Sequence, residues 1–187
     1  MPFTAEKIMK NFFNTFLIFF FGLTTQAVFA DSDVDARIAQ ARSAGPDSIS
    51  ANATIIDGGK VLVEGTNGWT CMPDTFPGDN APMCNDGVWM EMLGAFGQKA
   101  DFKAETIGIS YMLMGEPEGS GVSNSDPYHN DHKHAHDYVQ SGPHLMIVVP
   151  KEALAGLTDD PSKGGPFVMW QDTPYAHIMV PIAPSVD

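Results

Sequence analysis

Between Phe12 and Leu23 lies an apolar run broken only by Asn14, Thr15 and Gly22, and it decides where the rest of the chain folds. Lys7 and Lys10 precede it. Thr24-Thr25-Gln26 and then Ala27-Val28-Phe29-Ala30 follow, with small residues at Val28 and Ala30. A positive start, a short apolar stretch and a small-residue end are the layout of a secretory signal. The run falls short of the about 20 apolar residues that a spanning helix needs. No Cys follows it to carry a lipid. The sequence therefore predicts a signal peptide over residues 1–30, cleavage after Ala30, and a periplasmic or secreted bacterial protein without a stable membrane anchor afterwards.

Residues 31–187 are left to fold as a single globular domain. Loss of Glu6, Lys7 and Lys10 leaves 8 basic and 22 acidic residues, a net charge of −14. Such a surface repels a nucleic-acid backbone, and the basic residues form no patch that would override it. Nucleic acid is excluded as a partner, and the sequence names no other. A domain of this size buries enough surface to fold without a metal, so a metal, if bound, serves function.

Export changes the reading of the only two cysteines, Cys71 and Cys84. They flank Thr75-Phe76-Pro77-Gly78-Asp79-Asn80, a turn-rich stretch. In an oxidising compartment such a pair reads as a disulfide. Closing so short a loop stabilises by about 3 kcal/mol on the chain-entropy argument. The C-x-x-C spacing of a redox motif is absent.

Asp33 to Ala44 predicts a short helix stopped by Gly45-Pro46. Ala53–Asp57 and Lys60–Glu64 are β-rich and joined by Gly58-Gly59, a hairpin signal. Gly87 to Lys99 follows a capping Asn85-Asp86 and places Trp89, Met92, Leu93 and Phe96 on one helical face. Thr106–Met114 predicts a strand with Ile107, Ile109, Tyr111 and Leu113 on one side. His144–Val149 predicts a strand ended by Pro150, and Lys151–Gly156 a helical turn. Phe167–Trp170 and Tyr175–Val180 form a second hairpin. The order predicts an α+β fold: a mostly antiparallel β-sheet, two or three helices, one disulfide and a long polar loop. That loop, Gly115 to Pro143, is rich in Gly, Pro, Ser, Asn, Asp and His. Loops of this length inside a compact domain are usually functional or disordered.

Two groups of histidines stand out. His129, His132, His134 and His136 crowd the long loop with Asp131 and Asp137. His-rich tracts are a compositional sign of metal binding, and imidazole suits zinc and copper. The plain alternative is a solvated polar loop. The second group is His144-Leu145-Met146 with His177-Ile178-Met179, two H-x-M steps on predicted strands. A period of two puts each His and its Met on one face. Imidazole with thioether is a soft donor set suited to Cu(I), and Trp170 and Tyr175 are placed to wall it. The plain alternative is a methionine-filled core with satisfied histidines. A further option pairs His144 and His177 in another pocket, with Asp172 or Glu116. No G-x-S-x-G, P-loop, G-x-G-x-x-G or H-E-x-x-H motif is present.

Gly65-Thr66-Asn67-Gly68-Trp69-Thr70-Cys71-Met72-Pro73-Asp74, Asp126-Pro127-Tyr128, Gly142-Pro143-His144, Pro166-Phe167-Val168-Met169-Trp170 and Thr173-Pro174-Tyr175-Ala176-His177 form a distinctive set. Together they resemble a group of secreted bacterial proteins that carries no known activity. The resemblance runs from about Arg37 to Ile182. It implies an exported domain with Cys71, Cys84, His144 and His177 in the shared pattern, and supplies no substrate or cofactor. This chain departs from the group in the His-rich run after Tyr128, which makes that run a local feature.

The leading functional expectation is metal binding without catalysis. Copper or zinc would be held through His144, Met146, His177 and Met179, or through His129, His132, His134 and His136. A non-catalytic envelope or extracellular interaction module is the first alternative. A hydrolase using His144 or His177 as general base is the second.

Overall fold

The computed structural model describes residues 26–183. The apolar run read as an export signal lies outside the described residues. Helix α1 spans Gln26–Ser43 and the single turn α2 spans Asp47–Ser50. The predicted helix is therefore present but begins upstream of Asp33, and it runs through the expected cleavage point after Ala30. No described helix is long and apolar enough to cross a membrane.

The hairpin forms as the glycines dictate. Strands β1 (Thr54–Asp57) and β2 (Lys60–Val63) pair antiparallel with Asp57 opposite Lys60. Gly58 and Gly59 take φ of 54° and 81°, the left-handed geometry of a type I′ turn. Strands β3 (Thr70–Met72) and β4 (Met83–Asn85) follow, each three residues long. They put Cys71 directly opposite Cys84, and the two are joined by a disulfide. The bridge therefore ties two strands at their point of pairing, where the sequence predicts a staple across irregular chain. Turns fill the stretch between them.

Helix α3 covers Gly87–Gln98. One oxygen of Asp86 accepts from Trp89 N at 2.8 Å, capping the helix. Its other oxygen accepts from Ile109 N, also at 2.8 Å, and so fixes α3 to strand β5 (Gly108–Met112). Gly108 permits the close approach: a Cβ there would meet Val88 and Val148 side chains at under 3.0 Å. The buried face of β5 is therefore Gly108, Ser110 and Met112. Ile109 and Tyr111 occupy the shallower face, and Ile107 is exposed.

Strands β8 (His144–Val148), β9 (Phe167–Met169) and β10 (His177–Pro181) complete the main sheet. Its order is β2-β1-β3-β4-β5-β8-β10-β9. Every neighbouring pair is antiparallel except β1 with β3. The architecture is α+β. Helix α1 packs on the β1–β4 end, around Ala41, Ala44, Ala53, Ile55 and the two cysteines. Helix α3 packs on the opposite face toward β5, and its core joins Trp89 and Met92 to Met83, Met112, Met146, Met169 and Met179.

The long loop is not structureless. Strands β6 (Val122–Ser123) and β7 (Tyr138–Val139) pair within it, with a 3-10 turn at His132–His134 between them. Asp137 accepts from Ser123 Oγ and from Ser125 N, both at 2.8 Å. Glu116 and Ser141 bond through both backbone and side chain and close the neck of the loop.

Candidate metal centre

The strand register places the H-x-M steps on one face. Reading across the sheet, Asn85 pairs with Ser110, Ser110 with Met146, Met146 with Met179 and Met179 with Phe167. One row below, Met112 pairs with His144 and His144 with Pro181. One row above, His177 pairs with Met169. His144, Met146, His177 and Met179 therefore share a face, as the sequence predicts. All four are buried, and the two imidazoles are each 1% exposed.

The two histidines repeat one local device. His144 Nδ1 lies 2.7 Å from Gly142 O, and His177 Nδ1 lies 2.9 Å from Tyr175 O. A carbonyl only accepts, so each Nδ1 carries the hydrogen. Each Nε2 is left with a bare lone pair, and neither has a protein partner. Burial lowers the pKa of both rings against the carbonyl bond each makes, and that of His177 is pushed down to about 4, with neighbouring His144 adding a smaller effect of the same sign. Both are neutral at physiological pH. A neutral imidazole with one nitrogen fixed by a carbonyl and the other free is the form in which His ligates a metal.

Other polar atoms on this face are also unanswered by protein. Among the described residues, eight buried side-chain polar atoms lack a hydrogen-bond partner. Six of them lie here: Asn85 Oδ1 and Nδ2, Ser110 Oγ, Trp89 Nε1 and the two imidazole Nε2 atoms. Each such group costs about 1–3 kcal/mol if nothing satisfies it.

His177 sits between two indoles. The rings of Trp89 and Trp170 stand edge-on to it at 5.2 and 5.1 Å. Trp170 was anticipated as a wall. Trp89 was not: its place on the apolar face of α3 reads as ordinary core, and no sequence pattern links it to His177. Tyr175 contributes its carbonyl, while its hydroxyl donates to Ala100 O. The polar loop reaches the centre through Trp170, whose backbone N donates to Asn124 O and whose Nε1 donates to Ser123 O. Trp170 takes a φ of 55°, a left-handed conformation that costs a bulky residue and is held by these bonds. Phe96 stacks on Trp170 on one side and on Tyr128 on the other.

The four loop histidines do not converge on one point, although the rings of His129 and His132 stand 6.0 Å apart. Among the described residues no three of His, Cys, Asp or Glu come together to hold an ion. His134 is 82% exposed and pairs with Asp131, and His136 is 91% exposed. His129 Nδ1 and His132 Nδ1 already accept from Asp131 N and Ser123 N. The chain turns at Asp131 into a 3-10 turn over His132–His134. Asp172 and Glu116 also stay away from the strand histidines: Glu116 bonds Ser141, and Asp172 lines two cavities of about 400 and 350 Å³. Neither cavity is lined by His144 or His177.

No protein-family profile matches the chain, and no curated protein or solved structure matches it.

Proposed function

We propose that the chain is an exported protein that binds a soft metal, Cu(I), on the methionine-rich face without catalysing a reaction. One observation carries this: two neutral imidazoles, each with a bare buried Nε2, share a face with directly paired Met146 and Met179. Thioether and imidazole together favour Cu(I) over the hard cations, and zinc prefers thiolate, imidazole and carboxylate. The disulfide fits an oxidising compartment, which agrees with the signal-like start of the sequence. The formal charge of −13 makes the surface attractive to a cation.

The site imposes a kinetic signature. With both rings 1% exposed, an ion enters only as the core opens or as the chain folds. The test is elemental analysis of protein exported into a periplasm and purified without chelator or affinity tag, followed by anaerobic Cu(I) titration against a chromophoric chelator. Copper on the isolated protein, or Cu(I) captured when present during refolding, supports the reading. Absence of both rejects it, and zinc held by the loop histidines redirects it.

A further inference from the structure

We infer that the methionine-rich face holds two separate Cu(I) ions, one on His144 with Met112 and Met146, the other on His177 with Met169 and Met179. This rests on the reading of that face as a soft-metal site and goes beyond it in number, ligands and placement.

The strand register separates the two imidazoles. His144 lies opposite Pro181, and Ile147 lies opposite Ile178. The two histidines thus stand at opposite ends of a four-residue ladder, with the Met146–Met179 pair between them. At about 3.3 Å per residue along the strands and about 4.8 Å between them, their Cα atoms are about 14 Å apart. Two imidazoles on one ion need their Nε2 atoms within about 4 Å, since each metal–nitrogen bond is about 2 Å. Side chains standing perpendicular to a sheet do not close that gap. One ion shared by both histidines does not fit this spacing.

Each histidine has its own pair of thioethers instead, supplied by the same local rule. The direct cross-strand partner is one: Met112 for His144 and Met169 for His177. The residue two positions on is the other: Met146 and Met179. All four methionines are buried. Cross-strand partners have their Cβ atoms about 5 Å apart on the same face, and a methionine has the torsional freedom to turn its sulfur inward. The result is twice the same three-donor set, one nitrogen and two sulfurs. The environments differ in one respect. Trp89 and Trp170 flank His177, so an ion there lies close enough to two indole rings to change their emission. Among the described residues no indole ring packs on His144.

Anaerobic Cu(I) titration of the full exported protein against a chromophoric chelator, with tryptophan emission followed in parallel, tests this. Two equivalents are expected. The substitutions M169L and M179L together leave one equivalent and remove the fluorescence response. The substitutions M112L and M146L together leave one equivalent with the response intact. Leucine for methionine keeps core volume, so these variants fold, and circular dichroism checks that they do. Mutual repulsion of two buried charges at such a spacing makes the second equivalent roughly tenfold weaker. A single equivalent, lost in both double variants, overturns the two-site inference and leaves the soft-metal reading standing. Two equivalents untouched by all four substitutions overturn the ligand assignment. No binding in the unsubstituted protein overturns both.

Discussion

The two ends of the sheet solve the same problem of burial in opposite ways. At the end under α1, the buried or half-buried polar groups are answered by protein, with Arg42 Nε the exception among the described residues. Cys71 and Cys84 are bonded to each other. Arg37 forms a two-pronged pair with Asp57 at 2.8 and 2.9 Å and reaches Asp74 at 2.6 Å. Its guanidinium holds both carboxyls below the usual range, although burial of Asp74 works against this. The core there is small and uniform. At the end under α3, methionines replace the alanines, and six polar atoms stay bare. The first end is closed for stability. The second keeps groups that stability alone would discard, since apolar replacements of similar shape are close to neutral. On the proposed reading, those groups are there for the metal they bind.

The contrast can be broken in four places. The largest effect is expected on Cu(I) affinity. Replacing His144 and His177 together by Leu removes binding by roughly a thousandfold or more, about 4 kcal/mol. Replacing His129, His132, His134 and His136 together leaves it within about twofold, because those rings sit in solvent or already accept backbone hydrogens; the competition titration reads both. Next, replacing Cys71 and Cys84 together by Ser costs about 3 kcal/mol in denaturant unfolding. Metal affinity of the refolded variant is unchanged, because the bridge lies on the other face of the sheet.

Smaller again is Asp86→Ala, which removes the α3 cap and the bond to Ile109 N. The expected loss is about 1–2 kcal/mol, and because α3 carries Trp89 it also speeds Cu(I) entry in stopped-flow. The smallest effect is a slope. Burial pushes the Glu116 carboxyl above its usual 4.5. The folded chain then keeps a proton that the unfolded chain has lost, so this contribution is full below 4.5 and fades as pH rises toward the folded value. The side chain keeps some solvent contact, which moderates the shift. Glu116→Gln should flatten the decline in unfolding free energy between pH 5 and 8 by less than one proton, and denaturant titrations across that range measure it.

What the sequence discloses follows how local the cause is. The β1–β2 hairpin, the Asp86 cap, the β8 strand and the β9–β10 pair were all legible, because two glycines, one acid or one alternating run sufficed to specify each. Strands β3 and β4 were not. Three residues between glycines and prolines carry no period, and only pairing with their neighbours makes them strands. The buried side of β5 was illegible for a related reason. Ile109 and Tyr111 are larger than Gly108 and Ser110, yet the small residues face the core because α3 comes down on them. The shared face of His144 and His177 was readable from a period of two. Their diagonal separation was not, because register belongs to the pair of strands. Nor were Met112, Met169 and Trp89, which reach the histidines across strands or from the helix. In the loop, four histidines lie close in sequence, yet among the described residues no three His, Cys, Asp or Glu side chains come together there.

The central claim is that this protein holds copper by imidazole nitrogen and thioether sulfur in its core. X-ray absorption at the copper edge of the Cu(I)-loaded protein tests it most directly. The account predicts a Cu(I) edge with about one nitrogen and two sulfur scatterers per copper. A shell of three or four nitrogen or oxygen scatterers with no sulfur would contradict it and would place the metal on surface histidines.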